Sequence, residues 1–372
     1  MNPTRIAIAG LGEAGHDLHL PALEGLPNTE VVGLVDPSEA MRSRAAARTA
    51  APTFESFGDM LDTTNPDVVI VATPPHTHLD LGLASLAAGA HVLMEKPFVR
   101  SLAEADQLIA AADAAGLQIA LNHEFREMPI LSTVRDAVHG GEHGNLLFMQ
   151  LWQLMDMPSS GEAGWRGSLR NRTLFEAGVH LVDYAMAVFG EIPVAVSTTL
   201  SNGGGAATAE DSIVVATLEF SSGRLANIVQ TRLSKGARQY FEARVDTTEA
   251  SFRASFGGRA RLTAGLYRST RPKVGIEFGV SGMAWREEGD ARHFLARNPK
   301  LPRVLATRTV LERTFDAFRG EGSAPSDAAW GRDVLAVIVA CYHAAETGQR
   351  VRLVTDAMAA LADVELGGSG GA

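Results

Sequence analysis

The hydrophobic positions of this chain follow two rhythms. Within residues 1–122, Arg5 to Ala9, Glu30 to Val35, Val68 to Ala72, His91 to Met94 and Gln118 to Leu121 are short runs rich in Val, Ile or Leu. Runs of this kind, without regular polar alternation, predict strands buried on both faces. Leu79 to Ala88 and Leu102 to Ala115 are amphipathic at helical spacing. Ser101-Leu102-Ala103-Glu104 reads as a capping box, in which serine and glutamate each satisfy an amide left open at the helix start. Strand and helix in alternation give βαβ units, hence an α/β domain on a parallel, doubly wound sheet.

After residue 145 the rhythm changes. Leu146 to Leu154, Ser212 to Phe220, Leu225 to Leu233, Phe241 to Val245 and Ala250 to Ala254 recur between turn sequences such as Asn202-Gly203-Gly204-Gly205 and Ser221-Ser222-Gly223. Tight turns between such runs predict an open, largely antiparallel sheet. Helical patterns at Leu174 to Val188, Leu305 to Phe318 and Ala328 to Thr347 make this half α+β. Tyr267 to Pro302 is polar, basic and poorly periodic, and reads as irregular surface structure. The resulting division is residues 1–122, residues 123–355 with a final segment free to pack back on the first domain, and an extension at 356–372 with a flexible, glycine-rich end.

A chain of 372 residues exceeds one ordinary core, and a 46% hydrophobic content is enough for two. Lys and Arg number 33 against 43 Asp and Glu, a net charge of −10, so no general attraction to nucleic acid or an anionic membrane is expected. A phosphate-bearing ligand therefore needs a local device. The single cysteine, Cys341, lies in the apolar run Val334 to Tyr342, which excludes an internal disulfide or a thiolate cluster and reads as an inert buried thiol. The first apolar run is cut short by glycines, unlike a signal segment, and no stretch reaches the ~20 apolar residues of a membrane helix. A soluble, cytoplasmic protein is expected.

The local device stands at the end of the first run. Gly10-Leu11-Gly12-Glu13-Ala14-Gly15 follows a strand and precedes a helix, and Asp36 ends the next strand 21 residues beyond Gly15. Glycines there allow a tight turn and close approach of a pyrophosphate to the helix start, and the acidic residue accepts hydrogen bonds from the adenosine ribose. Pro37 and Ser38 follow Asp36 with no arginine beside it, so NAD is favoured over NADP.

Two more loops lie at strand ends, where open α/β sheets bind ligands. They are Thr73-Pro74-Pro75-His76-Thr77-His78 and Glu95-Lys96-Pro97, and Asn122 and Arg126 follow the last strand. In the second half, Thr173 to Tyr184 sets His180 four residues after Glu176 and three before Asp183. On a helix the three would share a face. That pattern leaves open a metal site, a proton relay, or a core histidine satisfied by a carboxylate.

Gly10 to Gly15, Val71 to His78, Val92 to Phe98, Asn122 to Arg126 and Thr173 to Tyr184 together resemble the glucose-fructose oxidoreductase, inositol 2-dehydrogenase and rhizopine-catabolism family, Gfo/Idh/MocA. The resemblance runs from Arg5 to Val354, and Ala340 to Leu353 looks like the family's last helix and closing strand. It implies an N-terminal Rossmann domain holding NAD(P), a C-terminal domain whose antiparallel sheet assembles a homo-oligomer, dimer or tetramer, and an active site between the domains. Lys96 stands where the family has its reactive lysine and His180 where it has its histidine. Glu176 stands where many members carry aspartate, a departure of one methylene.

The candidate cofactor contacts are Gly10, Leu11, Gly12, Glu13, Ala14, Gly15, Asp36, Thr73, Pro74, Pro75, His78, Glu95, Lys96 and Asn122, with Trp165 and Arg166 as further ones before the helix. Oxidising a secondary alcohol of a sugar, cyclitol or glycoside moves a hydride to nicotinamide and a proton to a base. His180, with an ordinary pKa of ~6.5, suits the base. Lys96 suits stabilisation of the alkoxide, and Glu176 orientation of either. Asp183 reads as structural, His76 as peripheral, and Arg170 and Arg172 as partners for a substrate carboxylate or phosphate, although loop arginines are commonly solvated. No metal is expected. The rivals are a non-catalytic NAD sensor or scaffold, redox-assisted glycoside elimination with a recycled cofactor, and a metal enzyme on Glu176, His180 and Asp183.

Overall fold

A computed structural model of the chain describes residues 3–156, 166, 169, 171–205, 210–236, 239–257, 261–265, 273–277 and 282–367. The buried apolar runs of the first half become β1 (Thr4–Ala9), β2 (Thr29–Val35), β3 (Thr53–Phe54), β4 (Val68–Val71), β5 (His91–Met94) and β6 (Ile119–Leu121). Between them lie α1 (Leu20–Leu23), entered through a π-helical turn at Gly15–His19, and α2 (Glu39–Ala46), α3 (Phe57–Thr64), α4 (His78–Ala87) and α5 (Leu102–Ala115). The strands pair in parallel in the order β3-β2-β1-β4-β5-β6. Strand order reverses between β1 and β4, the switch point at which such sheets bind ligands. Only β3 went unread in the sequence, because its two residues are too few to make a run.

The start of α5 is half the expected capping box. Ser101 Oγ accepts the Glu104 amide at 3.2 Å, but the Glu104 carboxylate takes the Arg100 amide at 2.8 Å. The Arg100 guanidinium reaches the same carboxylate at 3.3 Å and draws it one residue further back.

The second half contains α6 (Pro129–His139), β7 (Leu146–Met155), a π-helical turn at Thr173–Gly178, α7 (Val179–Phe189), β8 (Ala195–Ser201), β9 (Ile213–Glu219), β10 (Leu225–Thr231), β11 (Gln239–Thr247) and β12 (Ser251–Gly257). The hairpin β13 (Arg261–Gly265) and β14 (Lys273–Glu277) follows, then β15 (Met283–Glu288), β16 (Ala291–Arg297), α8 (Pro302–Phe318), α9 (Ala328–Thr347), β17 (Val351–Arg352) and α10 (Thr355–Ala359). Nine strands form one sheet, β16-β15-β12-β11-β7-β10-β9-β8-β17, antiparallel except where β7 meets β10. Its inner face, including Met149, Leu151, Val214, Ile228, Phe241 and Val245, is buried, and α6 and α7 pack on the sheet.

The irregular surface structure expected at Tyr267 to Pro302 is corrected here. β15 and β16 extend the large sheet to its edge, with Ala284 and Trp285 buried. Periodicity is hidden because edge positions carry charge, as edge strands commonly do. Glu287 pairs across the hairpin with Arg292 at 2.9 Å. β8 and α6 were also not anticipated, although α6 buries Ile130, Leu131, Val134 and Val138 on one face.

The chain forms two units. One is Met1–Glu127 with Arg303–Val339 and Thr355–Leu366; the other is Met128–Pro302 with Ala340–Val354 and Gly367–Ala372. The first boundary falls five residues after the 122/123 division read in the sequence, and α8 counts with the parallel sheet. Its Val310, Leu311 and Phe315 join Ile6, Ile8, Leu34, Ile70 and Leu93 in one core.

Candidate active site

In the first unit, the glycine turn closes on its own sheet. Gly10 has φ +90°, and a Cβ there would meet the Ala72 carbonyl at 2.6 Å; one on Gly15 would meet the Gly10 carbonyl at 1.9 Å. At Gly12 nothing lies within 4 Å of the same position. The outer glycines are thus fixed by packing, while the middle one opens on the space a pyrophosphate would use. Asp36 faces this turn: its carboxylate accepts the Leu11 amide at 2.8 Å and the Ser38 amide at 2.8 Å. Arg42, not singled out in the sequence, donates to the Asp36 and Pro37 carbonyls at 2.8 and 2.9 Å and pairs with Glu55 at 3.3 Å.

After β4, Pro75 is buried, His76 is exposed and Thr77 Oγ1 donates to Thr73 Oγ1 at 2.7 Å. His78 is fully buried. Its two ring nitrogens lie 2.9 Å from the carbonyls of Phe98 and Thr73, so the ring ties the loop after β4 to the loop after β5. Burial pushes its pKa down, against the opposing pull of those two carbonyls and of Glu95. A neutral ring has one N–H, and serves one carbonyl at a time.

Lys96 is half-buried beyond β5, and a network under it fixes its backbone. Glu95 Oε2 accepts the Lys96 amide at 3.2 Å; Glu95 Oε1 meets His19 Nε2 at 2.8 Å and accepts from Asn122 Nδ2 at 2.7 Å. His19, at the end of the first π-helical turn, is completely buried. Burial alone would raise the Glu95 pKa, but the hydrogen bond and charge of His19, followed by Lys96 and Asn122, hold it below the usual carboxylate range. Beyond β6, Arg126 binds the Pro325 carbonyl and stacks on Trp330 with its guanidinium 5.0 Å from the ring centre. Glu124, buried, pairs with Arg303 at 3.0 Å.

In the second unit, the π-helical turn that carries Glu176 is capped from two other elements. Asp211 accepts the Thr173 amide at 2.5 Å, and the Tyr342 hydroxyl accepts the Phe175 amide at 3.2 Å and donates to Asp211 at 2.7 Å. These contacts satisfy amides that a helix start leaves open. Burial raises the Asp211 pKa, opposed first by Tyr342 and then by the Thr173 amide. Glu176 is surrounded by guanidinium groups: Arg166 on Oε1, Arg172 on Oε2 at 3.3 Å and Arg232 on Oε2 at 3.0 Å. Arg172 is therefore not the solvated loop arginine its sequence setting suggests. His180 and Asp183 are buried on α7. Among the described residues no three His, Cys, Asp or Glu side chains are grouped to hold a metal ion, so the Glu176, His180 and Asp183 triad is not formed. Trp165 and Arg170 lie outside the described residues.

A glycine turn at the switch point of a parallel six-stranded sheet, with an aspartate closing the second strand, defines a dinucleotide-binding domain of the oxidoreductase type. Residues 4–123 match the family described as "Oxidoreductase family, NAD-binding Rossmann fold", and residues 131–253 match the "GFO/IDH/MocA C-terminal domain". The chain belongs to the Gfo/Idh/MocA family.

An uncharacterized oxidoreductase of Schizosaccharomyces pombe is 27% identical over 195 residues, which is 51% of this chain and 53% of that protein. The chain thus spans about half the length of this relative. The D-apiose dehydrogenase of Paraburkholderia graminis is 25% identical over 347 residues, 90% of this chain and 86% of that one. The crystal structure of the WlbA dehydrogenase of Bordetella pertussis, in complex with NADH and UDP-GlcNAcA, superposes with a TM-score of 0.75 at 21% identity, over 95% of this chain and 100% of that one. That likeness shows the shared fold. No helix among the described residues is long and apolar enough to cross a membrane.

Proposed function

We propose that the chain is an NAD-dependent dehydrogenase or reductase acting on the secondary alcohol or ketone of a sugar-like molecule. The observation that supports this most is the setting of Lys96, a half-buried lysine just beyond the C-terminal end of β5 whose backbone is held by the His19, Glu95 and Asn122 network. The residues to hold the dinucleotide are Gly10 to Gly15 at the pyrophosphate, Asp36 at the ribose, and Thr73, Pro74 and Pro75 beyond β4. The open space at Gly12 fits that assignment. Bound NAD would supply the hydride acceptor. Lys96 stabilises negative charge on the substrate oxygen, and His180 takes or returns the proton.

Three sequence assignments change in weight. His78 becomes a positioning residue, since both its ring nitrogens face backbone carbonyls. Glu176 becomes the anionic centre of an arginine cluster instead of the group that orients Lys96 or His180, and Arg166 becomes part of that cluster instead of a cofactor contact. NAD is preferred to NADP because a 2′-phosphate would meet the Asp36 carboxylate, while the nearby Arg42 is spent on carbonyls and Glu55.

A sugar-like substrate is supported by the names of relatives such as D-apiose dehydrogenase. Homo-oligomer formation is proposed through the outer face of the large sheet, where Trp152, Val229 and Val215 lie side by side on β7, β10 and β9. Val215 there is 41% exposed and Leu225 38%. The cytoplasm, where nicotinamide dinucleotides are held, is the proposed location.

The test is to incubate the protein with NAD or NADP and a panel of sugars and cyclitols, following absorbance of the reduced cofactor. Turnover with NAD above NADP is expected. Tight NAD binding without turnover across the panel would favour the sensor reading instead.

A further inference from the structure

We infer that Arg166, Arg172 and Arg232, gathered on Glu176, form a recognition site for a substrate carboxylate, so that the molecule oxidised or reduced is an acidic sugar of the aldonate or uronate class. The inference takes the class of molecule from the oxidoreductase reading; the preference for negative charge stands on the cluster itself.

Arg232 carries the argument. Its side chain is 6% exposed. Nε donates to Thr173 Oγ1 at 3.0 Å and Nη2 to Glu176 Oε2 at 3.0 Å. Nη1 is fully buried and has no hydrogen-bond acceptor among the described residues. An N–H pair on a buried cation without an acceptor is costly, and sites tolerate it where a ligand completes the bonding.

The local carboxylates do not complete it. Glu176 is shared among three guanidinium groups, and Asp211 Oδ2 is committed to the Thr173 amide and the Tyr342 hydroxyl, while Asp211 Oδ1 is buried and makes no hydrogen bond, to Arg232 or to any other described residue. Burial and the neighbouring Arg172 both press against the charge on Arg232, and Glu176 and then Asp211 oppose them, with burial the largest of these effects. A further anion would relieve this. A guanidinium presents its donors in a planar fork that matches a carboxylate.

The cluster also lies at a useful distance from the proposed chemistry. Arg166 is 41% exposed and Arg172 4%, so the guanidiniums run from the surface into the unit. His180 follows Glu176 by four residues, across the junction of the π-helical turn and α7, a rise of roughly 5–6 Å along the axis. A hydroxy acid whose carboxylate is two or three bonds from its carbinol carbon spans that interval.

The experiment titrates the full-length protein, saturated with NAD, with D-gluconate, D-glucuronate, D-glucose and glucose 6-phosphate by calorimetry. The same titrations are made on Arg166→Gln, chosen because this arginine is half-exposed and its loss leaves Arg172 and Arg232 on Glu176. The acids are expected to bind about ten- to hundredfold more tightly than glucose, with that ratio reduced about three- to tenfold in Arg166→Gln, which keeps Arg232. Equal affinity for acids and glucose, no binding of the acids, tighter binding of the sugar phosphate, or an unchanged ratio in the variant would each overturn the inference. Turnover is scored separately: acid-selective binding without hydride transfer from any sugar to NAD would sink the oxidoreductase reading and leave the anion site standing.

Discussion

Two carboxylates, Glu95 buried in the first unit and Glu176 half-buried in the second, are held in different styles. Glu95 has one histidine, one amide side chain and one backbone amide, which together engage both its oxygens. Glu176 has three guanidinium groups, two of them, Arg172 and Arg232, with buried side chains. The first arrangement fixes the backbone from which Lys96 projects, with His19 Nδ1 and Asn122 Oδ1 buried behind it and facing no hydrogen-bond partner among the described residues. The second is open, with donors on Arg232 left over. Imidazole and amide partners on a carboxylate fit a positioning role; a buried guanidinium with an unused donor fits a place where a ligand completes the bonding.

The sharpest break of this contrast is Glu176→Ala. Removing the shared anion leaves Arg172 and Arg232 buried together, and about 3–5 kcal/mol of unfolding free energy should be lost in denaturant titrations. Glu95→Gln is milder, since the amide still meets Asn122 while the carboxylate's contact with His19 is lost; a loss of about 1–3 kcal/mol is expected at neutral pH. The folded Glu95 carboxyl ionises below the unfolded one, so its contribution is complete above ~4.3 and is lost as pH falls toward the folded value. The variant should therefore show a flatter acid limb than the wild type in a stability-against-pH series.

Arg232→Met should cost least, about 1 kcal/mol or less, because it removes a buried cation and leaves Glu176 with two partners. A loss as large as that of Glu176→Ala would erase the distinction between the two sites. His78 gives a weaker check in a nearer pH range. Its folded pKa lies below the unfolded one, so stability should begin to fall as pH drops beneath ~6.5, and His78→Gln should remove that slope.

The parallel-sheet half was readable because strands buried on both faces leave uninterrupted apolar runs, and Leu34, Ile70 and Leu93 are all in the core. The edge hairpin β15–β16 was not, since alternating charge on Arg286, Glu287, Arg292 and His293 reads like a solvated loop. Within the candidate site, Gly10 to Gly15 and Asp36 were legible as local spacing, and Lys96 through the family resemblance. His19, Arg232 and Asp211 were not, because their partners lie 76, 56 and 38 residues away in the chain. The Glu176 to His180 spacing was legible, but the arginines around Glu176 decide what it does.

The most direct test of the account is Lys96→Met, assayed for reduction of NAD by whichever sugar the wild type turns over, alongside NAD affinity. Loss of a preorganised cation at the substrate oxygen should lower kcat by about 10²–10³, with NAD binding nearly intact. A Lys96→Met protein as active as the wild type would contradict it.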